Sequence, residues 1–317
     1  MGIQVRKLGN SIGAEVTGID LRQPVSDEDR AAILAAWHKH LVLIFPGQDI
    51  TPQQQIAVSR LVGTVDSDSA VSVFAHPDHP EIFLLSNEMK DGKPSDTRDV
   101  GWQWHVDLTY TLRPSAGAVL YARSIPEAGG DTMFANMYAA YETLSPAYRD
   151  MLKRLEAVHD IAHGQWWLKR NPVAMPNTAT VQNFASRTPP VIQPMVRTHP
   201  ETGRESLLIG EAVVSRIAGM THEESDPILE YLTRHATRPE FVYRHRWSRN
   251  DLLIWDNRCA MHKVVPDHND AVEPGTPGQV RLMHRVTLRG EPSGRLLHPS
   301  VQSVQSVQSV QSVERAA

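Results

Sequence analysis

The stretch "DVGWQWHVDLTY", residues 99–110, places an imidazole at His105 and a carboxylate at Asp107. The large apolar side chains around them are typical of a β-strand. On a strand, residues i and i+2 emerge on one face, about 6–7 Å apart along the chain. This spacing suits two ligands of one metal ion, and it equally suits a hydrogen-bonded pair that faces solvent.

Five other histidines are also followed, two positions later, by an acidic residue, but their surroundings do not fix the side-chain directions. Three of these pairs contain proline and lie in predicted loops, one begins a predicted helix, and one lies in a loop rich in proline and glycine. On a helix, side chains two residues apart diverge. The strand context therefore singles out His105 and Asp107. The other five are His76, His79, His199, His222 and His268.

The C-terminal part of the chain supplies a third candidate ligand and two arginines. The segment "LLIWDNRCAMHKVVPD" predicts a strand and a turn, followed by His262. Two histidines and one carboxylate leave three coordination positions open for reactants. In the next strand, "VRLMHRVTLRG", the alternation places Arg281 and Arg285 on one face. Because burying an unpaired guanidinium costs several kcal/mol, these arginines either face solvent or bind anions such as carboxylates or sulfonates.

The elements that must position these residues are mostly short strands. A helix with Ser26 as N-cap precedes the apolar strand Leu41–Phe45, a second helix begins after the cap Thr51, and further helices are predicted at 138–159 and 223–234. This order of elements predicts a β-sandwich or barrel decorated by helices. The lack of strict β-α alternation and of a Gly-rich phosphate loop argues against a nucleotide-binding doubly wound sheet.

Composition narrows the range of partners. The 317 residues are 41% hydrophobic and 21% charged, with a formal net charge of −4 and no block of Lys or Arg. Neither nucleic acid nor a membrane is therefore the expected partner. The longest apolar run is too short to span a bilayer, and the N-terminus has no secretory apolar region. Because Cys259 is the single cysteine, an internal disulfide is excluded. Cys259 is predicted to be a small buried residue, and the protein is predicted to be cytoplasmic.

The chain is predicted to hold one domain and a tail. Residues 1–292 form the predicted domain, and residues 293–317 a low-complexity C-terminal tail. Within the tail, Ser-Val-Gln repeats with period three from Ser300 to Val313. A period of three matches neither the helix nor the strand period, so the tail is predicted to be disordered or loosely ordered.

The motifs "WHVD", "GGDT", "ETLSP", "WDNR…H" and "R-x-M-H-R" occur here in one order along the chain. In this ordered set the chain resembles the taurine dioxygenase / aryloxyalkanoate dioxygenase family of Fe(II)- and 2-oxoglutarate-dependent oxygenases. The likeness runs from "LGNSIGAEVTGIDL" to "RLMHRVTLRG". It implies a mainly β fold with helices, in which a double-stranded β-helix (jelly roll) is flanked by α-helices.

The resemblance also implies a role for each candidate residue. His105, Asp107 and His262 stand where the family binds Fe(II). Arg281, assisted by the hydroxyl of Thr132, would bind the distal carboxylate of 2-oxoglutarate. O2 is the second co-substrate, and 2-oxoglutarate would be decarboxylated to succinate and CO2 as the substrate is hydroxylated.

The resemblance places the anionic group of the substrate at Arg285. Such a clamp holds the reacting C–H bond toward the metal when the substrate is not itself a ligand. Hydroxylation beside a heteroatom gives an unstable product that releases sulfite, sulfate or a phenol. An alkylsulfonate, an alkyl sulfate ester and an aryloxyalkanoate are all compatible with this scheme, and relatives imply a homodimer or homotetramer.

Three features depart from the family pattern. Eighteen residues separate His262 from Arg281, which predicts a longer surface loop that leaves the following strand in place. Asp68 stands where taurine enzymes carry a substrate-binding histidine, and a carboxylate there would repel an anionic headgroup. Trp102 precedes the metal motif and is assigned to the substrate site. Together with the neighbouring tryptophans, it predicts either an aromatic wall for a bulkier substrate or plain core packing. The neighbours are Trp104, Trp166 and Trp167.

Two other classes of protein fit part of the pattern. A zinc-dependent hydrolase uses the same three ligand types, but it has no need of Thr132 and Arg281 at the family spacing. A non-catalytic jelly-roll binding protein would retain the motifs only for packing, whereas all three ligand positions are intact here.

Overall fold

The computed structural model describes most of the chain. Asp68, Trp166, Trp167 and the Ser-Val-Gln repeats lie outside the described residues. The predicted division into a domain at 1–292 and a tail at 293–317 stays a prediction. The described ranges are 2–67, 74–95, 97–98, 100–161, 188–268 and 271–297.

The fold is mainly β, as predicted, with helices packed outside the sheets. The helices are α1 (Asp27–His40), α2 (Pro52–Val62), α3 (Met137–Glu142), α4 (Pro146–Leu152) and α5 (His222–Ala236). The strands are β1 (Gln4–Lys7), β2 (Ala14–Thr17), β3 (Val42–Phe45), β4 (Ala75–His76), β5 (His79–Ser86), β6 (Met89–Lys90), β7 (Lys93–Pro94), β8 (Gly117–Ser124), β9 (Thr132–Asn136), β10 (Glu156–His159), β11 (Val191–Pro194), β12 (Val196–Thr198), β13 (Glu205–Leu207), β14 (Val214–Ile217), β15 (Val242–His245), β16 (Leu252–Asp256), β17 (Ala260–Val264), β18 (Leu282–Leu288) and β19 (Arg295–Leu296).

Eight strands form the main sheet in the order β1-β2-β3-β16-β8-β18-β5-β4. Apart from the parallel pair β2-β3, neighbouring strands run antiparallel. Its outer face packs on α1 and α2 through an apolar cluster that includes Trp37, Ile56 and Val286. Its inner face packs on the smaller sheet β15-β9-β17 through Met283 and Phe134. Two β layers therefore enclose the interior in which the site residues lie.

Helix signals were reliable where a cap marked the start. Ser26 caps α1 by accepting from the Asp29 backbone N–H, and Thr51 forms a capping box with Gln54 at the start of α2. The single helix predicted at 138–159 is wrong. Ser145 and Pro146 begin a new helix there, so the segment contains α3, α4 and then β10.

The strand predicted around the metal motif is also wrong. Residues 101–110 contain only an isolated bridge between His105 and His262, and the chain turns directly after Asp107. Leu108 adopts a positive φ of 56° there, which a regular strand does not permit. The two side chains nevertheless converge, for reasons that depend on a neighbouring strand.

Three histidines outside the candidate site are buried in ways that disfavour their charged form. Burial lowers the pKa of His159 to about 3, assisted by the positive charge of Arg197. Burial likewise lowers the pKa of His268 and of His284 to about 4, with Arg281 and Arg123 respectively adding to the effect. These histidines are therefore neutral in the folded protein at neutral pH.

The metal-free protein is expected to lose stability as the pH falls from 7 to 5. Below about pH 6.5 the unfolded chain binds protons at these histidines while the folded chain does not, so acid favours unfolding. Each histidine is expected to lower the free energy of unfolding by about 1–2 kcal/mol over this interval. Urea denaturation at both pH values measures the effect. His284→Asn should show a smaller loss than the parent, and identical losses would contradict the assignment of His284.

Candidate metal centre

Backbone pairing brings the two histidines together. The His105 N–H donates to the His262 carbonyl, and the His262 N–H donates to the His105 carbonyl, both at 2.9 Å. The Val264 N–H donates to the Gly101 carbonyl at 2.7 Å, so residues 101–105 lie along β17. The two imidazole centroids are consequently 4.2 Å apart. A partner strand, rather than a regular strand of their own, aligns the residues of the metal motif.

Asp107 completes a compact group of three potential ligands. Its carboxylate oxygens lie 3.7 Å from His105 Nε2 and 3.9 Å from His262 Nε2. One potential ligand atom from each residue lies within 4.8 Å of the others. These separations are too long for hydrogen bonds but suit donors that each lie about 2.1 Å from a shared ion. Asp107 is 5% exposed, which makes the solvent-facing pair considered above wrong.

The hydrogen bond of the His105 imidazole favours ligation through Nε2. His105 Nδ1 lies 2.8 Å from the Gln103 carbonyl oxygen, which can only accept, so Nδ1 carries the proton and Nε2 keeps its lone pair. His262 Nδ1 is buried and has no hydrogen-bond partner among the described residues. The His262 ring is thus buried with one nitrogen, Nδ1, that makes no hydrogen bond to the described residues.

The charge states also suit a cation. Burial lowers the pKa of His105 and of His262, outweighing the opposite effect of the Asp107 carboxylate. Burial alone would raise the pKa of Asp107. The charge of Arg285, the two histidines and a hydrogen bond from Asn257 outweigh it and hold that pKa below its ordinary value. Two neutral imidazoles and one carboxylate therefore face one another at neutral pH.

Two side chains anchor the Asp107 carboxylate. Arg285 Nη1 donates to Oδ1 at 3.0 Å, and Asn257 Nδ2 donates to Oδ2 at 3.2 Å. Arg285 is buried in the middle of β18, so a decorative surface role is wrong for it. The contact with Asp107 is a role that the sequence did not predict for Arg285.

Arg281 lies next to the glycine-rich turn before β9. Its Nε donates to the Gly130 carbonyl at 3.2 Å, and Nη2 is buried with no hydrogen-bond partner among the described residues. Gly130 has a φ of +74°, and a Cβ at this position would lie 3.0 Å from the Arg281 side chain, so a larger residue here would be strained. Burial lowers the pKa of Arg281 to about 10, against the effect of Asp131 and Asp267, and leaves it charged at neutral pH. The buried, partly unpaired guanidinium is available to an anion.

Thr132 is buried at the start of β9, where the Trp247 indole N–H donates to its Oγ1 at 2.9 Å. The hydroxyl accepts that bond, so its own proton is available to another acceptor. The longer loop after His262 leaves β18 in place, as predicted. The loop pairs with the start of β6, because the Met89 N–H donates to the Val272 carbonyl at 2.7 Å.

The tryptophans of the metal motif differ in their surroundings. Trp104 packs in the apolar cluster between β9, β13 and α5, so plain core packing is the correct interpretation for it. Trp102 is half-buried, and its indole N–H has no hydrogen-bond partner among the described residues. Its assignment to the substrate site stays a prediction.

Sequence reasoning missed two residues at this centre. Asn257 stands in the quoted motif "WDNR", but nothing local reveals that its amide reaches Asp107. Tyr110 follows Asp107 by three residues, past the turn at Leu108. Burial raises its pKa, and the charges of Arg285 and Asp107 both act on its hydroxyl, which places it near them.

Two histidines and one carboxylate inside a helix-flanked β fold are typical of mononuclear non-haem iron oxygenases. The sequence model described as "Taurine catabolism dioxygenase TauD, TfdA family" matches residues 4–287. The chain therefore belongs to the TauD/TfdA family and is a 2-oxoglutarate-dependent dioxygenase. The enzyme class and the jelly-roll fold implied by the motifs are thereby confirmed.

Individual relatives agree with this placement. An "(S)-phenoxypropionate/alpha-ketoglutarate-dioxygenase" of Delftia acidovorans is 34% identical over 275 residues, covering 83% of this chain and 90% of the relative. An "Alpha-ketoglutarate-dependent sulfate ester dioxygenase" of Pseudomonas putida is 32% identical over 296 residues, covering 91% of this chain and 90% of the relative. The crystal structure of AAD-2 in complex with Mn(II) and N-oxalylglycine matches with a TM-score of 0.71 and 30% identity, covering 92% of this chain and 100% of that chain.

Among the described residues, no helix combines the length and the apolar character that a membrane span requires.

Proposed function

We propose that this protein is an Fe(II)- and 2-oxoglutarate-dependent dioxygenase that hydroxylates a small organic anion. The observation that carries the proposal is the buried group of His105, Asp107 and His262, with the guanidinium of Arg285 bonded to it. The relatives named above depend on the same co-substrate.

The three ligands fit a ferrous ion. Two neutral imidazoles and one carboxylate are the donor set of non-haem Fe(II) oxygenases, and they leave three positions for reactants. The separations of 3.7 and 3.9 Å between the Asp107 oxygens and the two Nε2 atoms are consistent with an ion between the side chains. When bound, Fe(II) supplies the redox chemistry that couples O2 to decarboxylation of 2-oxoglutarate and hydroxylation of the substrate.

Arg281 and Thr132 suit the distal carboxylate of 2-oxoglutarate. Arg281 offers a buried, unpaired Nη2, and the Thr132 hydroxyl has a proton to donate because Trp247 already donates to its oxygen. Charge-assisted hydrogen bonds to a carboxylate are about twice as strong as neutral ones. The pair therefore binds the dianion and directs its opposite end toward the metal ligands.

Arg285 is proposed to hold the anionic group of the substrate while remaining near Asp107. A guanidinium has five N–H donors, so one nitrogen can bond Asp107 while others face an incoming anion. Phenoxypropionate and sulfate esters, named for the relatives, both carry an anionic group that such a donor binds. Alkylsulfonates, alkyl sulfate esters and aryloxyalkanoates all remain candidates, and hydroxylation beside the heteroatom would release sulfite, sulfate or a phenol.

Further properties belong to the same proposal. Asp68 and Trp102 are proposed to contact the substrate, and the chain to assemble as a dimer or tetramer. A cytoplasmic location is proposed because the only cysteine, Cys259, is a buried free thiol, as expected in a reducing compartment.

Anaerobic titration with Fe(II) and 2-oxoglutarate tests the centre. A visible metal-to-ligand charge-transfer band is expected only when both are present, because the keto acid must chelate the ion. The zinc hydrolase considered above would instead turn over without O2 and without 2-oxoglutarate. Absence of the band in protein that contains stoichiometric Fe(II) and 2-oxoglutarate would contradict the proposal.

Succinate release in air tests the substrate class. Alkylsulfonates, alkyl sulfate esters and aryloxy acids of matched size are compared with a neutral alcohol of the same carbon skeleton. Succinate above the uncoupled background is expected from one anionic class and not from the alcohol. Equal stimulation by the alcohol would show that Arg285 does not select for charge.

A further inference from the structure

A second group of potential ligands lies behind the metal centre, formed by His199, Asp256 and Cys259. Its carboxylate is already saturated. Arg258 donates to both oxygens of Asp256 at 2.8 Å, and His199 Nε2 lies 2.9 Å from Oδ2. Burial raises the pKa of Cys259, which keeps the thiol protonated. The group is therefore a buried ion-pair network rather than a second metal site.

This network fixes the turn between β16 and β17, residues 257–259. The Asp256 N–H donates to the Leu41 carbonyl at 2.9 Å. Arg197 donates from Nε to the Arg258 carbonyl at 2.9 Å and from Nη2 to the Asn257 carbonyl. Hydrogen bonds from Asp256 to Leu41 and from Arg197 to the turn thus hold it in place, and the side chain of Asn257 projects from it toward Asp107.

The orientation of the Asn257 amide follows from its neighbours. The indole N–H of Trp255 can only donate, and it lies 2.9 Å from Oδ1. The Asp107 N–H also points at Oδ1, at 3.4 Å. The NH2 group must therefore be on the other side, where it donates to Asp107 Oδ2 at 3.2 Å and to Ser115 Oγ at 3.1 Å. Asn257 is 0% exposed and has no alternative orientation that satisfies these partners.

We infer that Asn257 is a positioning residue that holds the Asp107 carboxylate in place for the metal. The inference rests on the proposed function. Asp107 needs such an anchor, because it lies at a turn before the positive φ of Leu108 and no strand fixes its side chain. Its other anchor, Arg285, is the residue proposed to serve the substrate. Asn257 is short, neutral and rigidly held, so it fixes the direction of the carboxylate without neutralising its charge.

Two substitutions of Asn257 distinguish a role in positioning Asp107 from a purely structural role. Asn257→Asp is isosteric and keeps the oxygen that accepts from Trp255, but replaces the donor to Asp107 by a like charge. Asn257→Ala removes both functions. Asn136→Ala is the matched control, because Asn136 is also buried but its amide bonds to Ser11 and caps α3.

The measurement is the dissociation constant of Co(II) in the presence of 2-oxoglutarate, with the melting temperature recorded for each protein. Both Asn257 variants are expected to bind Co(II) about 10–100-fold more weakly than the parent, and Asn257→Asp is expected to have the lower affinity of the two. Asn136→Ala is expected to keep the parental affinity. Parental affinity in both Asn257 variants, or an equal loss in Asn136→Ala, overturns the inference. Failure of the parent itself to bind Co(II) contradicts the proposed function instead.

Discussion

Replacing His262 by alanine is expected to abolish the charge-transfer band and to reduce succinate formation below detection. The substitution removes one of three donors, and the loss of a ligand should exceed the 10–100-fold cost that is typical of outer-shell partners. The fold should persist, because the backbone bonds between His262 and His105 do not involve the imidazole. Ferrous binding by titration and succinate by chromatography measure the two effects.

His235→Ala is the control for losing a buried imidazole. His235 lies in α5, where its ring bonds to the Ala140 carbonyl rather than to the metal ligands. This variant should keep the band even if its melting temperature falls. A band of parental intensity in His262→Ala would show that His262 is not a ligand, and the centre would have to be redrawn.

Replacing Arg281 by alanine is expected to weaken 2-oxoglutarate binding by roughly 30-fold or more. Truncating one partner of a buried charge pair costs about 2–5 kcal/mol, and 2 kcal/mol corresponds to about 30-fold. Metal affinity without 2-oxoglutarate should stay close to that of the parent, because Arg281 bonds Gly130 and does not contact Asp107. Anaerobic titration of the band against 2-oxoglutarate measures the dissociation constant.

Arg285→Ala is expected to behave differently. It should raise the KM of the substrate, and it should also weaken Co(II) binding, because Arg285 donates to Asp107 Oδ1 at 3.0 Å. An effect of equal size on 2-oxoglutarate affinity in both variants, with metal and substrate binding unchanged, would show that the two arginine roles are misassigned.

The structure brings the candidate ligands together, but not in the secondary structure that the local sequence predicts for them. The segment that contains His105 and Asp107 resembles a strand, yet the chain turns at Leu108 and β17 supplies the alignment. Strand propensity depends on a partner, and the partner of His105 is 157 positions further along the chain. The types and order of the motifs point to the same two residues without any assumption about a strand.

Long-range contacts explain what the sequence could not reveal. The bond from Asn257 to Asp107 spans 150 positions, and no spacing rule relates the two residues. The helix predicted at 138–159 failed for a local reason, since Ser145 and Pro146 are a cap and a first-turn proline that should have divided it. The contact between Asn257 and Asp107 can be found only once the fold is known, whereas the new helix at Ser145 and Pro146 is already indicated by the local sequence.

The reciprocal backbone bonds between His105 and His262 have a consequence for how the protein acquires its ion. Two donors are already preorganised by the polypeptide, so the ion does not have to assemble its own binding geometry, as it does in zinc fingers that unfold without metal. A chelator should accordingly strip the centre while the sandwich stays cooperative and intact. Loading can then follow synthesis and folding as a separate, reversible event.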